Sequence, residues 1–153
     1  MLTRKTKYAL QALLALAREF GRGPVLISRI AARENIPHKF LELILLELKN
    51  QGFLGSKKGR GGGYFLARPP AEISIGSVVR CLEGPVAPLP CASEKAFQPC
   101  EECQDPEACG LRLVMMDVRD SIAGIFDCTS LADVLKREAS ASAQKGQSST
   151  WEI

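Results

Sequence analysis

Residues 27–66 read ISRIAARENIPHKFLELILLELKNQGFLGSKKGRGGGYFL, and this stretch decides the fold. Ile27, Ile30 and Ala31 fall at helical spacing and predict a helix over about 27–34. Asn35-Ile36 is a short turn. Pro37 stands where a third helix would begin, a position proline tolerates because the N–H it lacks would be unpaired there. Phe40, Leu41, Ile44, Leu45 and Leu48 form the apolar stripe of that helix, and Gly52 ends it. Two short helices joined by a tight turn outline a helix-turn-helix, whose second helix enters the DNA major groove. From Phe53 to Leu66, apolar residues flank a basic, glycine-rich tip, the pattern of a two-stranded hairpin. The tip lacks the Gly-Lys-Ser/Thr ending of a nucleotide phosphate loop and precedes a strand, so a wing beside the recognition helix is the better reading. The expected fold class is mainly α with a small β-hairpin wing: a winged helix-turn-helix plus a long dimerisation helix.

Upstream, Leu10, Leu13, Leu14, Ala17 and Phe20 predict a first helix over 4–20, stopped by Gly21 and Gly23. Charge divides the chain at the end of the hairpin. Residues 1–68 hold thirteen Lys and Arg against four acids, a net of +9, whereas 69–153 carry −6. Such asymmetry points to a nucleic-acid face on the first half. The candidate DNA contacts are Arg4, Lys5 and Lys7 at the start of the first helix and His38, Lys39 and Glu42 on the third. Lys57, Lys58, Arg60, Gly61 and Gly62 join them from the wing tip. Lysine can bond guanine and a glutamate can accept from cytosine N4, so Lys39 and Glu42 suit base edges. Basic residues at a glycine-rich tip, where the backbone approaches closely, suit phosphates.

The second half carries a different signal. Ile73, Val78, Val79 and Leu82 predict a helix over about 75–83, broken by Gly84-Pro85. Cys91, Cys100, Cys103 and Cys109 follow within one turn-rich loop. No apolar run reaches the ~20 residues of a membrane span, and Met1 to Lys5 lead into an amphipathic helix rather than a secretory signal, so a cytoplasmic protein is expected. Thiols in that compartment point to metal or redox chemistry before structural disulfides. His38 is the sole histidine, which argues against a histidine-rich metal site. Thiolates suit an iron–sulfur cluster, 2Fe–2S or 4Fe–4S, or zinc, and a metal-free thiol switch stays open. Asp105-Pro106 reads as the cap and first residue of a dimer helix over about 106–127, with Cys109 in its first turn. Leu111, Met115, Val118, Ile122 and Ile125 form its seam, the spacing of a helix that packs on a second helix across a two-fold axis. Cys81 and Cys128 read as small packing residues. Ser130 to Asp133 resemble a capping box that opens a short last helix.

The expected domains are a winged-helix DNA-binding domain over 1–68, a sensor loop (91–109) with dimerisation helices over 69–139, and a flexible tail over 140–153. The expected function is a DNA-binding transcription regulator that senses redox or iron–sulfur status, not an enzyme. Its partners would be double-stranded DNA with a palindromic operator and a second copy of itself, with no membrane; a further protein partner is left unassigned. A cluster-containing redox protein is the rival class, and it leaves the +9 half unexplained.

The chain resembles the Rrf-two family of bacterial winged-helix transcription regulators, with IscR-like, NsrR-like and CymR-like members. The resemblance runs from Leu2 to Leu135. It rests on Leu2 to Lys5 with Tyr8-Ala9, Ile30-Ala31 to Ile36-Pro37, Phe40-Leu41-Glu42, the wing Gly59 to Tyr64, and Leu131 to Leu135. It implies a homodimer with a crossed dimer helix and a sensing loop before it. By resemblance to IscR-like members, Cys91, Cys103 and Cys109 match three cluster ligands, and Arg112 stands where a histidine would be the fourth. The aspartate ligand of NsrR-like members falls at Lys7, and Cys100 is the obvious replacement for either. Glu42 and Lys58 match a base-reading glutamate and a wing arginine.

Overall fold

The computed structural model describes residues 2–148. Helix α1 spans Arg4–Arg18 and opens on Thr3, whose hydroxyl accepts from the Thr6 amide at 3.3 Å. Helix α2 (Ile27–Glu34) ends at Asn35, whose φ of 52° turns the chain so that the Ile36 amide reaches the Ala31 carbonyl. Helix α3 (His38–Asn50) follows at once; Pro37 is its cap, one position earlier than a first helical residue. The three helices close over Leu13, Leu16, Ile30, Leu41, Ile44, Leu45 and Leu48, all buried. Truncating one such leucine to alanine costs about 2–5 kcal/mol, so this stripe holds the recognition helix in place.

Strands β1 (Leu54–Lys57) and β2 (Gly63–Leu66) pair antiparallel, with Leu54 opposite Leu66 and Lys57 opposite Gly63. Val25 bridges to Tyr64 and anchors the wing to the segment before α2. Helix α4 (Ile75–Glu83) is capped by Ser74, and Ile73, Val78 and Leu131 join the same buried cluster as the first three helices. The core therefore continues past residue 68, where the charge changes sign.

Helices α5 (Gly110–Cys128) and α6 (Leu131–Ser148) complete the chain. Ser130 and Asp133 exchange hydrogen bonds at the start of α6, with Asp133 in the role usually filled by glutamate. Leu131 donates to the Ile73 carbonyl, and Arg18 pairs with Glu138 at 2.7 Å, so α6 lies back along α1.

Several expectations are corrected. Helix α1 stops at Arg18, and Phe20 is exposed beyond it because the apolar repeat outlasts the helix. Helix α5, expected over about 106–127 as a dimer helix, begins at Gly110. Asp105 spends its carboxylate on the amides of Glu107 and Ala108, closing a separate turn, and Cys109 becomes the cap of α5. The last helix is longer than expected: residues 140–148, assigned to a flexible tail, continue α6, and 140–145 are exposed. Residues 149–153 of that tail lie outside the described residues. Cys128 is exposed rather than packed, whereas Cys81 is half-buried against the core.

Candidate nucleic-acid interface and cysteine loop

Helix α3 buries one face and turns the other outward, so His38, Lys39, Glu42 and Lys49 stand exposed in a row. A shallow groove of about 430 Å³ separates this face from the wing and is lined by Ser28, His38, Lys49, Lys57 and Lys58. Lys57, Lys58, Arg60 and Gly61 are exposed at the hairpin tip. Gly62 faces inward: a Cβ there would collide with the Lys57 carbonyl, so only glycine closes the tip. His38 Nδ1 lies 3.4 Å from Glu42 Oε1, one helical turn away. Lys5 pairs with Glu47 of α3 at 2.7 Å, which ties α1 to the recognition helix and occupies one expected phosphate contact. Arg4 and Lys7 remain exposed. Among the described residues, Lys7, Lys39, Lys57, Lys58 and Arg60 form no ion pair, so their charge is available to a polyanion. Leu43 and Leu46, 66% and 48% exposed on the same face, were not singled out from the sequence. A helical projection of α3 would have shown both lying off its buried stripe.

Cys91 is buried in a short 3₁₀ turn over Pro90–Ala92, Cys103 and Cys109 are half-buried, and Cys100 is exposed. The loop brings them together as two neighbouring pairs. The Cys91 thiol, hydrogen-bonded to Cys100, pushes the Cys100 thiol above its usual value. Burial first, then the adjacent Cys109, pushes Cys103 up. Cys109 is held below the usual thiol value, chiefly by the backbone amide of Arg112 in the first turn of α5. Among the described residues no three Cys, His, Asp or Glu side chains stand at metal-holding spacing. The donor set itself, four thiols in one short loop with no competing nitrogen ligand, has the softness that iron–sulfur and zinc centres require. On that chemistry the residues fit such a group.

Helix α5 holds this loop through its arginines. Arg112 Nε donates to the Cys91 carbonyl at 2.8 Å, and its terminal nitrogen donates to the Pro106 carbonyl at 3.2 Å. Its guanidinium also lies over the Phe97 ring, 5.5 Å from the centroid. Arg119, two turns on, donates to the Ala92 carbonyl at 2.7 Å. At the far end of the helix, Arg80 of α4 grips both carboxylate oxygens of Asp127, and its hydrogen bonds hold the Asp127 carboxyl below its usual pKa. Gly76 makes room for that pair, since a Cβ there would collide with Asp127 Oδ1.

No residue of α5 is buried. Of the expected seam, Leu111, Val118 and Ile125 are exposed, at 60%, 38% and 62%, while Met115 and Ile122 are half-buried. Leu113 and Val114 are exposed as well and extend the apolar surface beyond the seam read from spacing. Among the described residues no helix is long and apolar enough to cross a membrane.

Comparison with known proteins places these features in a family. Residues 2–137 match the profile of Rrf2, described as an iron-dependent transcriptional regulator. An rrf2-like HTH-type transcriptional regulator of Rhodobacter capsulatus is 46% identical over 88% of this chain and 92% of its own length. The HTH-type transcriptional regulator CymR of Bacillus subtilis is 31% identical over 85% of this chain and 86% of its own. Among solved structures, the global cysteine regulator CymR of B. subtilis superposes with a TM-score of 0.76 at 29% identity, covering 90% of this chain and 97% of that one. IscR of T. potens gives 0.73 at 31% identity, covering 92% and 90%. The basic groove between α3 and the hairpin, on a winged-helix frame shared along nearly the whole length, makes this chain a member of the Rrf2 family of DNA-binding transcription regulators.

Proposed function

We propose that this regulator acts in the cytoplasm as a homodimer whose cysteine loop binds an iron–sulfur cluster and couples its status to operator binding. The observation that carries the reading is the attachment of a four-thiol loop to α5 through Arg112 and Arg119, on the helix whose outer face is an exposed apolar stripe. The ligands would be Cys91, Cys100, Cys103 and Cys109, with Cys100 in place of the histidine that Arg112 replaces. A bound cluster supplies a redox-active centre whose gain, loss or oxidation alters the charge and spacing of those thiolates. Arg112 and Arg119 offset that negative charge and transmit loop movement to α5. The stripe from Leu111 to Ile125 packs on its two-fold mate and sets the separation of the two recognition helices. In dimeric helix-turn-helix proteins these span half-sites about 34–36 Å apart. His38, Lys39 and Glu42 face base edges in the major groove, while Lys57, Lys58 and Arg60 meet phosphates, with Gly61 at the tip. Relatives named IscR and the profile's description as iron-dependent support the cluster.

The pairing of Cys91 with Cys100 and Cys103 with Cys109 favours a second reading, a metal-free thiol switch on the same DNA-binding frame. Anaerobic purification with iron, acid-labile sulfide and zinc counted per chain separates the two. Iron and sulfide in equal amounts, lost in Cys103→Ala together with the oxidant response of DNA binding, supports the cluster. A colourless, zinc-free protein that still switches with oxidant supports the thiol pair. One zinc per chain and no oxidant response defeats both.

A further inference from the structure

We propose that Arg112 is the positioning residue of the cysteine loop: its guanidinium fastens the loop's two ends to α5 and holds Cys91 against the segment around Pro106. The proposal deepens the reading above and rests on it only for the identity of the bound group.

Three contacts converge on this one side chain. It donates to the carbonyl of Cys91, near the start of the cysteine loop, and to that of Pro106, near its end. Phe97, between those points, lies against its face. One side chain thus touches the loop near its start, its middle and its end. The loop's own backbone bonds are local, such as Ala92 to Leu89, Gln98 to Pro90 and Cys103 to Cys100. None of these joins residue 91 to the segment before α5. That closure is made by Arg112.

The chemistry suits arginine specifically. The guanidinium stays charged, carries donors in a fixed fork that reaches two carbonyls at once, and stacks on an aromatic ring. A lysine keeps the charge but offers a single point of contact, and glutamine loses the charge as well. Arg119 strengthens the same clasp at the next carbonyl, that of Ala92, while the rest of its guanidinium pairs with Asp120.

The test uses the full-length, reduced, metal-free protein, so that its outcome does not depend on cluster binding. Arg112→Gln and Arg112→Lys are pulsed with iodoacetamide beside the wild type, and alkylation at each cysteine is read by mass spectrometry. Cys91 is 5% exposed in the closed loop. Loss of a charged hydrogen-bonded clasp should speed its alkylation about tenfold, equivalent to about 1.4 kcal/mol. Cys81, half-buried in α4, and Cys128, exposed at the end of α5, should keep their wild-type rates. A rise at Cys91 in both variants supports a fork that lysine cannot replace. An unchanged Cys91 rate in either variant overturns the proposal, as does an equal rise at Cys81, which signals general loosening. Parallel anaerobic reconstitution with ferrous iron and sulfide then gives the half-life of the visible absorption, expected to shorten in both variants. If the wild type takes up no iron, the cluster reading fails while the alkylation result still decides the role of Arg112.

Discussion

Glu83 ends α4, yet its carboxylate acts on α1: it accepts from the Thr3 amide at 2.7 Å, the Thr3 hydroxyl at 2.6 Å and the Thr6 hydroxyl. These bonds, the Thr3 hydroxyl foremost, lower its pKa to about 2 from a usual 4.5. A carboxyl whose folded value is depressed adds stability that is fully present above the unfolded value and lost as pH falls toward the folded one. Wild type should therefore melt above Glu83→Gln at pH 6, with the gap narrowing as pH drops from 4.5 toward 2; a gap constant over that range, read by thermal melts, would refute the assignment. Thr3 and Thr6 looked ordinary in the sequence. Their partner lies 80 positions from Thr3 and 77 from Thr6, and no local pattern announces such a contact.

At the scale of elements, amphipathic spacing located the start of each of the six described α-helices to within a few residues, because an apolar stripe repeats along the chain itself, but it missed residues 140–148 of α6. Boundaries depended on where side chains found partners: Asp105 bonded locally, and α5 started later than its proline suggested. The exposed stripe of α5 carries the dimer prediction. Val118→Glu would place two like charges across the proposed two-fold contact without touching the core, since Val118 is exposed in the single chain. Sedimentation should show the variant shifted to monomer with its helical content retained, and affinity for a two-half-site operator should fall far more than affinity for one half-site. A variant that stays dimeric would place the interface elsewhere.

Across the whole molecule, polar links run from the loop to the DNA face. Arg112 and Arg119 join the loop to α5, Asp127 and Arg80 join α5 to α4, Glu83 joins α4 to α1, and Lys5 with Glu47 joins α1 to α3. The same chain of contacts spans the basic and acidic halves, so the net charge of +3 understates the local field. DNA affinity should fall steeply with salt, and Lys58→Ala should weaken binding to all sequences and reduce the slope of log K against log salt by about 1. An unchanged slope would remove Lys58 from the phosphate contacts.

The sequence by itself determined the winged helix, the basic face and the four-cysteine loop, since helical periodicity, glycine at a tight tip and clustered thiols are properties of neighbouring residues. Tertiary structure alone decided that Arg112 clasps the loop, that Lys5 belongs to Glu47, and that Gly76 must yield space to Asp127. Each of these depends on which surfaces meet after the chain has folded, and a guanidinium finds its carbonyls only once two distant segments share the same few ångströms.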